Sequence, residues 1–470
     1  MIPDKRLEEL ILDQKEMFLS REPGMSRRVD FVRHCTHEQI VVISGIRRSG
    51  KSTLMRQFAD RYKEFYYLNF DDERLIDFEL ADFSSLMLAF NKIHPGLKVM
   101  FIDEIQNVVG WERFVRRIHD EGYKIFLTGS NANLLSSELA THLTGRYSKI
   151  ELYPFAFTEL LDFEHIDYHK VSSSKKAGIL LAFDKYLEHG GFPEFLKYRD
   201  GEFLKRIYDD ILFRDIITRF RIRDMKAFRL FVHYLFSNMT KEASYHSLKN
   251  ALGFKSAMSV RSYIGFLEES YLIFELFKYD FSLKKQYANP KKIYVIDNGM
   301  RNAVSFRFSG DSGRLLENLV FIELKRRNAR VNYYRKKHEC DFITEYKGAL
   351  SSAIQVCFEL NATNREREVN GLLEAMKELG IKQGMILTYN QEEKIPGDKV
   401  PDIVVVPVWR WLLEEPVPDL ESQISHLKGY VPPYPVNNKA ICGTGCKFHS
   451  VSERVTRTNT QIPVRMHDIL

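Results

Sequence analysis

Residues 45–52 read Gly-Ile-Arg-Arg-Ser-Gly-Lys-Ser and directly follow the apolar run Ile40–Ile43. No other stretch constrains the fold as much. The run is β-branched and unbroken, as a strand covered on both faces should be. Glycines at 45 and 50 let the backbone turn so that its N–H groups converge on one point. A helix beginning near Lys51 aims its positive dipole end at the same point. Strand, glycine loop and helix in that order start a parallel α/β unit, and G-x-x-x-x-G-K-[ST] is the spacing that cradles nucleotide phosphates. Lys51 supplies a cation for the β and γ phosphates, and Ser52 a hydroxyl for Mg²⁺. The nucleotide-binding set is therefore Gly45, Arg48, Ser49, Gly50, Lys51, Ser52 and Thr53, with ATP and Mg²⁺ as the implied cofactors. The bland alternative, a chance glycine turn, fits poorly with a strand and a helix on either side.

A second apolar strand, Val99–Ile102, ends in Asp103-Glu104. Asp103 suits the Mg²⁺ shell beside Ser52, and Glu104 suits a general base for the attacking water. A third strand runs into Thr128, Ser130 and Asn131. Ligands of parallel sheets sit at the carboxyl ends of strands, so Asn131 is the third catalytic candidate, with helix capping as its plain alternative. Arg146 follows a glycine and precedes a strand-like segment. Its guanidinium is a candidate for stabilising transition-state charge, from this chain or a neighbour; the alternative is an ordinary surface arginine.

The segments "GIRRSGKSTL", "FIDEIQNVVGWERFVRRIHDEG", "FLTGSNANLLSSELATHLTGRY" and "LYPFAFTELL" resemble the AAA-type ATPases abundant in archaea and anaerobic bacteria. Those proteins carry a C-terminal domain distantly related to restriction-endonuclease-like nucleases. The resemblance spans about Val29 to Leu413. It implies a P-loop fold of the AAA+ or STAND type and nucleotide roles for Lys51, Ser52, Asp103, Glu104, Asn131 and Arg146.

Composition sets the outer limits. The chain has 470 residues, enough for several domains at about 150 residues each. It is 44% hydrophobic and 13% aromatic, which excludes global disorder. Its net charge of +6 is a mild basic excess, compatible with nucleic acid. The first twenty residues mix both charge signs and read as an amphipathic helix, not a signal peptide. No apolar run reaches the roughly 18 residues needed to cross a bilayer, so no membrane partner is expected. Five cysteines form no disulfide framework. A cytoplasmic location is the expectation.

Beyond the P-loop region the pattern turns helical to about Asn238, as a lid beside the nucleotide. Leu248, Leu252, Val260, Ile264 and Leu267 then give inner faces to two helices split by Gly253, and two strand-like runs follow around "DFSLKKQYANPKK". This is the order of a helix-turn-helix with a wing. In DNA-binding use, Lys255, Ser259 and Arg261 face the duplex, and Lys284, Lys285, Lys291 and Lys292 lie on the wing. The alternative is a winged helix used only for internal packing.

A nuclease-like pattern comes next, with Glu317 on a helix, Asp341 on a strand and Gln355 opening an E/Q-x-K triplet. Its third residue is Cys357, and a thiol supplies no fixed positive charge at neutral pH. Lys347 is a conceivable substitute. The expectation is a vestigial nuclease site. The proline-punctuated stretch after Leu413 reads as a flexible tail, whose Cys442, Cys446 and His449 lack a fourth zinc ligand.

The fold class expected is α/β: a P-loop parallel-sheet core with helical lid, winged helix and C-terminal restriction-endonuclease-like α/β domain. The expected boundaries are 1–35 (N-terminal helix), 36–155 (P-loop core), 156–238 (lid), 239–305 (winged helix), 306–415 (nuclease-like) and 416–470 (tail). The leading reading is an ATPase that moves a DNA-binding winged helix and the nuclease-like domain. The alternatives are an ATP-dependent switch or toxin–antitoxin-like interaction protein with little turnover, and an ATP-gated nuclease. DNA, a protein partner and further copies of the chain are the partners this layout admits.

Overall fold

The computed structural model describes residues 4–130, 143, 145–169, 171–305, 311–396 and 402–414. Asn131 and the tail cysteines lie outside these residues. Five parallel strands form the first sheet, in the order β2-β3-β4-β1-β5. They are β1 (Ile40–Ser44), β2 (Tyr66–Asn69), β3 (Val99–Asp103), β4 (Lys124–Gly129) and β5 (Tyr147–Glu151). Alternate residues of one strand point to opposite faces. Ile40 and Val42 accordingly join a core with Leu7, Leu10 and Ile11 of the N-terminal helix Asp4–Ser20. Val41 and Ile43 join Phe58, Phe101 and Phe126 on the other face. The continuous apolar runs of β1 and β3 are explained by these two covered faces.

The helices Phe157–Phe163, Ser173–His189, Pro193–Tyr198, Phe203–Asp210 and Met225–Ser237 follow the first sheet. Within the helical region expected up to about Asn238, the helix Phe203–Asp210 passes directly into a π-helical stretch, Ile211–Thr218. A three-stranded antiparallel sheet follows, ordered β6-β8-β7, with β6 (Glu242–Ala243), β7 (Ile273–Phe277) and β8 (Lys291–Val295). Helices Tyr245–Leu252 and Ala257–Glu269 pack beside it, the first ending at Gly253 with φ 71° and the second capped by Ser256. The segment joining β7 to β8 forms a short helix, Leu283–Ala288, where an extended wing was expected.

The last sheet has six strands in the order β13-β14-β12-β11-β10-β9. They are β9 (Arg330–Arg335), β10 (Glu339–Tyr346), β11 (Ala349–Val356), β12 (Gly384–Thr388), β13 (Glu393–Ile395) and β14 (Ile403–Pro407). β9, β10 and β11 pair antiparallel, while β11, β12 and β14 run parallel. The helix Ser312–Arg326 lies between this sheet and β8. Tyr294 of β8 stacks on Phe321 of that helix at 4.1 Å.

One hydrophobic core runs through the lid helices, the β6–β8–β7 layer, the helix Ser312–Arg326 and Leu412. These parts are a single packed body set against the first sheet.

Glu268 offers a test of this packing. Its carboxylate accepts the Glu275 N–H at 2.8 Å. Burial, reinforced by the Glu275 carboxylate, lifts its pKa from 4.5 to about 7. A folded value above the unfolded one means that folded protein binds the extra proton, so this group's contribution falls as pH rises from about 4.5 through 7. Glu268→Gln should stabilise the fold at pH 8 by about 1–3 kcal/mol and leave it unchanged near pH 4. Urea titrations at the two pH values check this.

Candidate functional site

The loop 45–50 leaves β1 and enters the helix Lys51–Ala59 through Gly50, whose φ of 97° favours glycine. Gly45 has no room for a side chain: a Cβ there would lie 2.1 Å from the Leu152 carbonyl oxygen. Arg48 also takes a left-handed conformation, φ 66°. Lys51 is 6% exposed, and its ammonium donates to the Gly45 and Ile46 carbonyls at 3.1 and 3.2 Å. Burial lowers its pKa, opposed by the Glu104 and Asp103 carboxylates. The Ser49 hydroxyl is buried and has no hydrogen-bond partner among the described residues.

β3 brings Asp103 to the same end of the sheet. Burial and the adjoining Glu104 raise its pKa, and hydrogen bonds from the Thr128 and Ser52 hydroxyls oppose that shift. Thr128, on β4, also accepts the Glu104 N–H at 3.1 Å. It thereby fixes both acids from the strand that lies between β3 and β1. Glu104 sits at φ 51°, and its carboxylate accepts the Gln106 side-chain amide. Asp71, just past β2, has a pKa raised by burial and by Glu104. The structure therefore gathers Gly45, Ser49, Lys51, Ser52, Asp103 and Glu104, and adds Thr128 and Asp71.

Five residues tie this loop to the rest of the molecule. Ile46 is fully buried in the core of the second body, not in that of its own sheet. Arg47 makes a two-pronged ion pair with Asp215 of the π-helical stretch, at 3.0 and 2.9 Å. Arg48 pairs with Glu194 at 3.0 Å. Ser44, the last residue of β1, shares a 2.8 Å hydrogen bond with Tyr271, just ahead of β7. Arg27 anchors the loop from the N-terminal side. It donates to the Ser49 carbonyl, the Tyr153 carbonyl and the Glu159 carboxylate, each at 2.8 Å.

Arg146 stands apart. Its carbonyl accepts the Ile40 N–H at 2.8 Å, and its guanidinium lies 3.6 Å from Asp120. Because β5 runs parallel to β1, its first residues lie at the edge opposite the loop, so Arg146 does not reach the site of its own chain.

The expected DNA-facing residues divide. Lys255, Arg261, Lys284 and Lys285 are exposed and Ser259 half-buried. Lys291 is buried in β8 and donates to the Tyr287 carbonyl at 2.6 Å, with its ammonium 4.5 Å from the Tyr245 ring centre. Lys292 is 3% exposed and reaches Glu317, Glu339 and Asp341 at 3.1, 2.6 and 2.9 Å. Neither lies on a solvent-facing wing, because alternate strand residues point into the two packed faces of β8. Burial opposes the Lys292 charge, but the surrounding acids outweigh it and hold its pKa well above that of an ordinary lysine. Glu317, Asp341 and Gln355 do meet: the Gln355 side-chain oxygen accepts the Asp341 N–H at 3.2 Å. The lysine beside them comes from β8, whereas Lys347 lies in the turn at the far end of β10.

A family described as an AAA domain matches residues 37–161, and two domains of unknown function (DUF8612 and DUF4143) match 180–311 and 312–411. The chain is 38% identical over 433 residues to an uncharacterised protein of Methanocaldococcus jannaschii, covering 87% of this chain and 96% of that one. It is 31% identical over 413 residues to one of Haemophilus influenzae, covering 84% and 99%. Among solved structures, the Aeropyrum pernix ORC1 protein in complex with DNA aligns with a TM-score of 0.30 at 13% identity, over 64% of this chain and 90% of that one. Rhizobiales Trip13 aligns with a TM-score of 0.24 at 17% identity, over 45% and 80%.

Removing one partner of a buried ion pair strands the other. Arg27→Met should therefore lower unfolding free energy by about 3–5 kcal/mol, measurable by chemical denaturation. Arg48→Met, at an exposed pair, should change it by less than about 1 kcal/mol.

Proposed function

The chain belongs to the AAA-domain family of these archaeal and bacterial proteins, and on that premise we propose that it binds Mg-ATP at the loop after β1, hydrolyses it, and acts on DNA. The observation that carries the reading is the convergence of Lys51, Ser52, Asp103 and Glu104 at the carboxyl ends of β1 and β3. The Ser49 hydroxyl, without a hydrogen-bond partner among the described residues, and a buried lysine hydrogen-bonded to loop carbonyls suit a phosphate group. In this reading the loop N–H groups and the Lys51 ammonium bind phosphate oxygens. Ser52 and Asp103, already in hydrogen-bond contact, hold the metal, which when bound neutralises developing phosphate charge. Glu104 orients water and accepts its proton, with Thr128 keeping it beside Asp103. Arg47 and Arg48 relay the state of the loop to Asp215 and Glu194 of the lid.

The β6–β8–β7 layer with its two helices supports a winged-helix reading. Lys255, Lys284 and Lys285 supply exposed charge, and exposed Phe281 and Tyr287 flank the two wing lysines. DNA phosphates are the matching partner chemistry. A second reading, an ATP-set switch with little turnover, is favoured by one observation: both loop arginines are ion-paired to the lid. A metal-dependent nuclease is disfavoured by Lys292, which fills the acid cluster.

Phosphate release with and without duplex DNA tests this. Lys51→Ala should lose ATP binding. Glu104→Gln should still bind ATP but hydrolyse it about 10²–10⁴-fold more slowly. Wild-type protein that binds ATP without turning it over moves the reading to the switch, and protein that binds none defeats both. Replacing Lys284 and Lys285 by Glu should weaken DNA binding and flatten its salt dependence, with basal hydrolysis unchanged.

A further inference from the structure

The β6–β8–β7 layer is hollow beside the short helix Leu283–Ala288. A cavity of about 450 Å³ lies there, between the helix Ala257–Glu269, the start of the helix Tyr245–Leu252, β7 and that short helix. Small-molecule sites begin at about 300 Å³. Arg261, Gly265 and Glu268 line it from one stripe of the helix Ala257–Glu269. Glu275 and Phe277 line it from β7, where residues two apart share a face. Tyr245 and Tyr287 complete the walls, and the Tyr287 and Phe277 rings stand edge to face with centres 5.4 Å apart.

Two observations mark this cavity as a ligand site. A glycine inside a helix costs stability relative to alanine. Gly265 sits in mid-helix, yet a methyl group on it would meet nothing within 4 Å. No neighbour requires the glycine there; its effect is to keep the floor of the cavity open. The second observation is Glu275. One of its carboxylate oxygens accepts the Tyr245 hydroxyl at 2.9 Å. The other is buried and has no hydrogen-bond partner among the described residues. A buried acceptor left without a donor is costly, and a bound N–H would satisfy it. The charge already present selects the class of ligand. The Lys291 ammonium lies over the rings of Tyr245 and Phe277, 4.5 and 5.6 Å from their centres, and Arg261 adds a second cation. The cation's place against the rings is therefore taken. What stays open is room between aromatic walls beside a single acceptor, which suits a flat neutral ring with an N–H donor. A nucleobase has both. Exposed Lys284 stands one helical turn from Tyr287, with exposed Lys285 next to it, so one strand can meet the lysines with its phosphates and the cavity with a base.

We propose that this cavity receives an unpaired nucleobase with an exocyclic amine, stacked against Tyr287 and Phe277 and donating that amine to Glu275. Carboxylates accept from the cytosine amine in this way. The inference rests on the DNA reading and deepens it: the preferred substrate is DNA with an unpaired or flipped base, not plain duplex.

Fluorescence anisotropy of the full chain with three DNAs of one sequence tests it. They are a plain duplex, the same duplex with one unpaired cytosine, and that second duplex with an abasic site in place of the cytosine. The unpaired cytosine should tighten binding about tenfold over plain duplex. The abasic form, which keeps the extra backbone, should lose that gain. Gly265→Met, which fills the cavity, should bind plain duplex as the wild type does and lose the gain as well. Unpaired thymine, with no exocyclic amine, should gain less than cytosine, and an equal gain overturns the contact with Glu275. Equal binding of plain and cytosine-bearing duplex overturns the base pocket and leaves the DNA reading standing. So does a gain that survives the abasic change or a folded Gly265→Met. Protein that binds none of the three defeats the DNA reading itself. The abasic comparison needs no variant, so it decides the matter even where Gly265→Met fails to fold.

Discussion

Ile46 belongs to the wrong core. It is part of the loop that leaves β1, yet its buried side chain belongs to the core that the lid and the β6–β8–β7 layer share, not to either core of the sheet that produces it. A packed interior resists even small voids, so the loop cannot shift without disturbing the second body, and the reverse holds as well. Ser44, Arg47 and Arg48 add polar ties on either side of that apolar one. The loop is thus the seam between two bodies as well as the proposed phosphate cradle. Because the lid, the β6–β8–β7 layer and the helix Ser312–Arg326 share one core, any displacement driven from the loop is best pictured as movement of that whole body against the parallel sheet. Separate swings of a winged helix and a C-terminal domain would have to break it.

The buried charges show two solutions to one problem. Taking a charge out of water is costly unless pairing and hydrogen bonds compensate. Arg27 meets this with one acid and two backbone carbonyls, each held by a different segment. Lys292 meets it with three acids and no carbonyl. The first arrangement staples the chain's early residues to the loop. The second joins two sheets. In both cases the value of the arrangement is geometric: the partners come from remote parts of the sequence, and only one docking satisfies them all.

Short-range features were legible in the sequence. The strand, the glycine loop and the helix at 40–59 follow from local residue types. So do the acids ending β3 and the helix break at Gly253. What failed was distance along the chain. Nothing near Arg47 announces Asp215, 168 residues later, because an ion pair leaves no periodic trace. Lys291 and Lys292, at the end of "DFSLKKQYANPKK", read as wing lysines open to a duplex, but both are buried in a strand with two covered faces. Arg146 stands away from the site of its own chain for another reason. It precedes its strand, and in a parallel sheet the start of a strand lies away from the ligand edge, so topology alone could have corrected it. Asn131 and the tail cysteines fall outside the described residues.

The lysine in the acid cluster also bears on how the molecule can be divided. A cut at residue 306, where the sequence suggests a boundary, falls between Lys292 and the three carboxylates it holds. A fragment beginning there would keep Glu317, Glu339 and Asp341 in their pocket with the ammonium left behind, and would expose the Phe321 face on which Tyr294 stacks. Such a piece would carry a concentrated negative charge beside an uncovered aromatic ring, a poor basis for independent folding. The smallest fragment that contains both the acids and their cation begins before β8, so the natural unit of expression crosses the boundary that a reading by segments would draw.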